Sequence, residues 1–184
     1  PIVSEEGEIA PYEVRRAWPR FWLVDPLDGT KEFLQQNGEF TINIALIEGG
    51  RPVLGVVLAP VLAVAYVAGA GLGSWKYEGD AAPVRLAGPS HPGPEGVVIV
   101  ESRSHPSPEL EAYVKTLHVA RRVQAGSSLK FGWLAEGRAH LYPRFGPTME
   151  WDTAAAPAIL KEAGGTVISA ENGKELIYNK EILN

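Results

Sequence analysis

The 184 residues carry 17 Lys and Arg against 22 Asp and Glu, a formal net charge of −5, with no basic tract that could track a phosphate backbone, which argues against a nucleic-acid polymer as partner. There are no cysteines, so disulfides, zinc–thiolate sites, iron–sulfur clusters and cysteine nucleophiles are out, and any metal must be held by oxygen or imidazole. A hydrophobic share of 45% supports an ordinary core in one domain or two small ones.

The chain starts at Pro1 and ends just after Ile182-Leu183, and is expected to be part of a longer protein. Apolar runs or alternation bounded by Gly and Pro predict strands over 21–24, 41–47, 53–58, 62–67 and 73–77, a meander-like, mostly antiparallel sheet. A short helix is expected over 30–36, after Gly29. Residues 52–75 carry no charge and are long enough to span a bilayer, but Pro60 and four glycines interrupt them, and Leu62, Val64 and Tyr66 keep strand rhythm; sheet strands explain the run better, and no transmembrane segment is expected. From Pro89 a turn-rich linker begins, giving an expected boundary between residues 1–88 and 89–184. Beyond it strands are predicted over 97–100, 119–123, 139–142 and 166–169, and helices over 108–117, 127–136 and 152–163. The last places Ala155, Ala156, Ile159, Leu160 and Ala163 on one face.

The segment Asp25-Pro26-Leu27-Asp28-Gly29-Thr30 is the most informative. An apolar strand delivers two aspartates into a turn, and Gly29-Thr30 opens a helix whose N–H groups face the same place. Two adjacent carboxylates repel, a penalty that a hard divalent cation removes; oxygen-only ligands favour Mg²⁺ or Mn²⁺. The helix start offers N–H groups to phosphate. By themselves the two aspartates could simply cap the helix, but Ser4-Glu5-Glu6 upstream and Trp151-Asp152-Thr153 downstream add further acids.

Asp25-Pro-Leu-Asp28-Gly-Thr30, Trp151-Asp152-Thr-Ala-Ala155 and Ser4-Glu5-Glu6 resemble, in order, the motifs of the Mg²⁺-dependent phosphatases that include inositol monophosphatase. The resemblance implies Glu5, Asp25, the Leu27 carbonyl, Asp28 and Asp152 as ligands of two or three Mg²⁺ ions, with Mn²⁺ as a substitute. Gly29 and Thr30 would hold the scissile phosphate, and Thr30 would orient the attacking water; Glu6 is not carried over. Lys31-Glu32-Phe33, Asn37 to Thr41, Ser102 to His105, Gly126 to Lys130 and Leu141 to Pro147 look like the CysQ-type 3′(2′),5′-bisphosphate nucleotidases of bacteria. That likeness implies a small-molecule nucleotide bisphosphate as substrate, adenosine 3′,5′-bisphosphate cleaved to AMP and phosphate, with His105, Ser127, Lys130 and Arg144 facing the nucleotide. A Lys point charge and a two-pronged Arg both suit phosphate oxyanions.

The implied fold is α/β, a layered αβαβα sandwich of the inositol-monophosphatase type without its N-terminal helices in this chain. Residues 1–88 would form the metal-binding half and 89–184 the substrate-binding half. The resemblance also implies a cytoplasmic monomer or homodimer, with peripheral attachment to the inner membrane left open. Nothing in the sequence stands for the family's leading helices and their additional acid, so weak or no turnover is expected of these 184 residues alone. Two alternatives stay open: a sugar phosphatase acting on inositol monophosphate or fructose bisphosphate, and a non-catalytic nucleotide-binding fragment.

Overall fold

The computed structural model describes residues 1–104 and 107–184. Its first half is a seven-stranded sheet in sequence order: β1 (Ile2–Ser4), β2 (Arg20–Asp28), β3 (Thr41–Glu48), β4 (Arg51–Ala59), β5 (Val64–Gly69), β6 (Gly73–Glu78) and β7 (Val84–Leu86). Strands β2 to β7 pair antiparallel, as the short connections from β3 onward require; β1 runs parallel to β2 across the single-turn helix α1 (Tyr12–Arg15). The one-turn helix α2 (Thr30–Leu34) follows β2. In the second half β8 (Val97–Ser102) and β9 (Val119–Ala125) pair in parallel around helix α3 (Pro108–Val114), followed by α4 (Leu129–Ala135), α5 (Glu150–Thr153) and α6 (Ala155–Glu162).

Alternation in the sheet strands decides which face is covered. Phe21, Leu23, Ala45, Ile47, Val57 and Tyr66 are buried on the face that α4, α5 and α6 cover, in a core cluster that runs on through Leu129, Leu134, Ala155, Ile159 and Leu183 and so crosses residue 88 without a break. The expected face of α6 is the one buried. Helix α6 crosses β4 so closely that a Cβ on Gly55 would stand 2.3 Å from the Ala155 carbonyl oxygen, which is why a glycine interrupts this strand. The other face of the sheet carries Ile42, Ile44, Leu46, Val56, Leu58 and Val67, all half-buried, beside exposed Trp22. Among the described residues no helix is long and apolar enough to cross a membrane.

Several expected elements change. The sequence gives no warning of β1, α1 or β7. Strand β2 runs on through the acidic motif to Asp28, with its register broken between Asp25 and Asp28, where a simple turn was expected. Helix α4 begins at Leu129, after Ser127 takes a left-handed φ of +51° and Ser128 stands at the N-cap position without a side-chain cap. The single helix expected over 152–163 is two, α5 and α6, with a step at Ala154, and Asp152 lies inside the first. Helices α2 and α3 stop short, at Leu34 and Val114. The strands expected over 139–142 and 166–169 reduce to single bridges, Ile99 to Leu141 and Ile168 to Glu175.

Candidate metal centre

The parallel pairing of β1 with β2 brings Ser4 level with Val24, and the Glu5 amide donates to the Val24 carbonyl at 3.2 Å. Glu5 thereby follows the same edge as Asp25, although twenty residues separate them. Asp25 sits at the end of the buried register of β2 opposite Asn43, and the bulge that follows carries Leu27 and swings Asp28 opposite Thr41. The Leu27 amide donates to Asp25 Oδ1 at 2.9 Å, locking that carboxylate. Its other oxygen, Oδ2, is buried and has no hydrogen-bond partner among the described residues.

Asp28 is held by both halves of the chain, most closely by the second. Its Oδ2 accepts from the Ser128 amide at 2.7 Å and from the Ser127 hydroxyl at 2.5 Å, with Thr41 Oγ1 and Asn43 Nδ2 each at 3.3 Å. Ser128 is buried; it accepts from Asn43 Nδ2 at 2.9 Å and donates to the Asp152 carbonyl at 3.0 Å. Asp152 Oδ2 accepts from the Met149 amide at 2.8 Å, which fixes the start of α5. That helix is anchored from below: Glu150, also buried, accepts from the amides of Asn179 and Lys180 at 2.7 and 2.9 Å, and Arg15 donates to Asn179 Oδ1 at 2.8 Å.

One carboxylate oxygen from each of Asp25, Asp28 and Asp152 lies within 4.8 Å of the others. Burial, then repulsion from Asp28, pushes Asp25 up to about 8 from its ordinary 3.8. Burial, with added repulsion from Asp28 and Glu5, pushes Asp152 up to about 6. Glu5 is exposed and stands outside the trio, but its charge reaches both aspartates. A buried carboxylate with an oxygen left without a partner, grouped with two further carboxylates, suits a hard divalent cation, which would supply the missing partner and remove the repulsion.

Gly29 adopts a left-handed φ of +87° at the start of α2, a conformation that suits glycine, and a Cβ there would meet Ser127 Cβ at 3.0 Å. The Thr30 side chain opens α2 on the exposed side. Arg144 is half-buried beside a cavity of about 470 Å³ that also takes in Ser104, Leu110, Pro143 and Phe145; its Nε is buried without a partner among the described residues and its Nη2 donates to the Pro147 carbonyl at 3.3 Å. Lys130 lies elsewhere than a ligand-facing cation would. It is 3% exposed, its ammonium donates to the carbonyls of Ser127 and Ala125 and stands over the Tyr142 ring, and burial lowers it to about 8. His105 lies outside the described residues. Sequence reasoning missed Ser128, Thr41, Asn43 and Glu150. Thr41 and Asn43 did leave a signal, being polar residues on the inward register of an otherwise apolar strand.

The sequence profile of the inositol monophosphatase family matches residues 1–184. The chain belongs to that family. Among its relatives, the 3′(2′),5′-bisphosphate nucleotidase CysQ of Salmonella typhimurium is 52% identical over 97% of this chain and 70% of its own length, and that of Escherichia coli K12 is 50% identical over the same shares. The structure of CysQ from Bacteroides thetaiotaomicron, a bacterial member of the same family, superposes with a TM-score of 0.89 at 44% identity, covering 100% of this chain and 73% of that one. Mycobacterium tuberculosis SuhB follows at a TM-score of 0.75 and 26% identity, covering 96% and 68%. The chain therefore has the α/β inositol-monophosphatase-like fold.

Proposed function

We propose that this protein is a Mg²⁺-dependent phosphatase that releases the 3′-phosphate of adenosine 3′,5′-bisphosphate to give AMP, a cytoplasmic enzyme of nucleotide recycling in sulfur assimilation. The observation that carries the catalytic part is the unpartnered buried oxygen of Asp25 inside a trio of carboxylates. Identity of about half to the CysQ nucleotidases supports the choice of substrate.

In this reading Asp25, Asp28, Asp152 and the Leu27 carbonyl hold the metal, with Glu5 at its exposed edge. A divalent cation bound there would neutralise the acids, make a water more acidic and screen the phosphoryl oxygens. The chain's own groups do the rest. Gly29 and Thr30 seat the scissile phosphate, and the Thr30 hydroxyl orients the water for in-line attack on phosphorus, as the bond from phosphorus to the ribose 3′ oxygen breaks and that oxygen takes up a proton. Ser127 and Ser128 keep Asp28 in one orientation, leaving it a ligand and not a nucleophile. Arg144, with its unpartnered Nε, meets the nucleotide's other phosphate. Lys130 supports the Ser127 turn from beneath. Residues 1–88 supply the metal and phosphate groups other than Asp152, which residues 89–184 add together with the nucleotide-facing ones.

The test is phosphate release with magnesium present, from adenosine 3′,5′-bisphosphate and from inositol 1-phosphate in parallel. A kcat/KM at least about tenfold higher for the bisphosphate is expected. The reverse preference would make this a sugar phosphatase on the same scaffold.

A further inference from the structure

Two acids that take no part in the metal cluster reach from the first half of the chain into the second. Glu32 stands on α2, three residues after Gly29, and is only 3% exposed. Its Oε1 accepts from the Ser104 hydroxyl at 2.7 Å. It is tightly enclosed: a Cβ on Gly126 would stand 2.4 Å from its Cγ, and one on Gly29 would stand 3.1 Å from its Oε2. Glu39, in the loop before β3, accepts from the Gly126 amide at 2.7 Å and grips Arg103 with both oxygens, at 2.9 Å to Nη2 and 3.2 Å to Nε. Burying a carboxylate is costly, and an apolar residue could fill the place of Glu32 at less cost to folding. What the carboxylate provides and a methylene chain cannot is a directed bond to Ser104, on the wall of the cavity that Arg144 also lines.

We infer that Glu32 is a positioning residue that ties the phosphate-binding turn at Gly29-Thr30 to Ser104, and so sets the place of the cavity wall that grips the substrate beyond its scissile phosphate. The inference rests on the proposed nucleotidase reading for what that remainder is, namely the nucleotide. Glu39 serves the neighbouring Arg103 in the same way, so that the two loops move together. A phosphate ester too small to reach the cavity does not feel this tie; a nucleotide bisphosphate does.

The test combines kinetics with hydrogen exchange on wild type, Glu32→Ala, Glu32→Gln and Ser104→Ala, using adenosine 3′,5′-bisphosphate and p-nitrophenyl phosphate. Loss of a hydrogen bond to a buried charge is expected to raise KM for the bisphosphate about tenfold in Glu32→Ala, with KM and kcat for the small ester changed by no more than about twofold. Peptides containing Arg103 and Ser104 should exchange faster while those of β4 and β5 do not. Glu32→Gln, whose amide oxygen still accepts from Ser104, should recover most of the loss. Ser104→Ala, a milder change, should reproduce the KM effect. Unchanged exchange at Arg103 and Ser104, or equal losses on both substrates without recovery in Glu32→Gln, overturns the inference. A wild-type protein that cleaves the small ester but not the bisphosphate would overturn the nucleotidase reading instead, and the exchange data would still decide the role of Glu32.

Discussion

Asp25 shows how much a single carboxylate depends on what is brought beside it. One of its oxygens is satisfied by the Leu27 amide and the other by nothing among the described residues, while Asp28 and Asp152 press their charge on it. Asp25→Asn removes a charge that any cation needs, and kcat/KM in the presence of magnesium is expected to fall at least about 100-fold; Asp152→Asn should do the same. The same substitution should help the metal-free fold. The folded pKa of Asp25 is raised, so the folded state holds a proton that the unfolded chain has lost, and stability falls as pH rises from about 4, the unfolded value, to about 8. Chelator-treated Asp25→Asn is therefore expected to melt above wild type at pH 8, by roughly 2 kcal/mol in urea titrations, and to converge with it near pH 4. A variant that retains full activity, or that gains nothing at pH 8, would remove Asp25 from a shared ion site.

At the scale of elements, the acids were legible and their supports were not. The aspartate motif, the Trp151-Asp152 motif and Glu5 stand out as residue types in the sequence. What orients them comes from pairings that leave little local trace. Strand β1 is three residues long, too short for alternation to announce it, and only its parallel register with β2 sets Glu5 beside Asp25. Helix α5 is one turn, held by Glu150 against Asn179 and Lys180 near the other end of the chain. Periodicity merged it with α6, because the step at Ala154 falls inside one run of small residues, Thr153 to Ala156, and changes no hydrophobic pattern. The α6 to β4 crossing depends on the absence of a single side chain. Gly55→Ala drives a methyl group against the Ala155 backbone carbonyl, which cannot turn aside as a flexible side chain would. A loss of about 2–4 kcal/mol in denaturant titrations is expected, with turnover per folded molecule kept at low temperature.

Across the whole molecule, metal and fold are coupled through the carboxylates that neither half can assemble alone. Asp25 and Asp28 come from the first sheet, Asp152 from α5, and the Ser127-Ser128 turn that orients Asp28 from the β9 to α4 connection. Magnesium that binds only this assembled trio stabilises the fold by mass action, about 2.7 kcal/mol at a hundredfold excess over Kd. The melting temperature is expected to rise with magnesium and fall with chelator. The gap should widen from pH 5 to pH 8, because bound protons compete with the cation until Asp152 and then Asp25 ionise, near 6 and 8. A gap independent of pH would place the ion elsewhere. The sequence by itself determined the oxygen-only chemistry, the meander of strands, the acidic motifs and, through the order of those motifs, the family, because these rest on residue type and short-range spacing. Only the tertiary structure decided which acids share one small volume, that Lys130 is enclosed beneath the site, and that Glu32 reaches Ser104. Those are contacts between segments far apart along the chain, and their register follows from packing of the whole core, on which local pattern is silent.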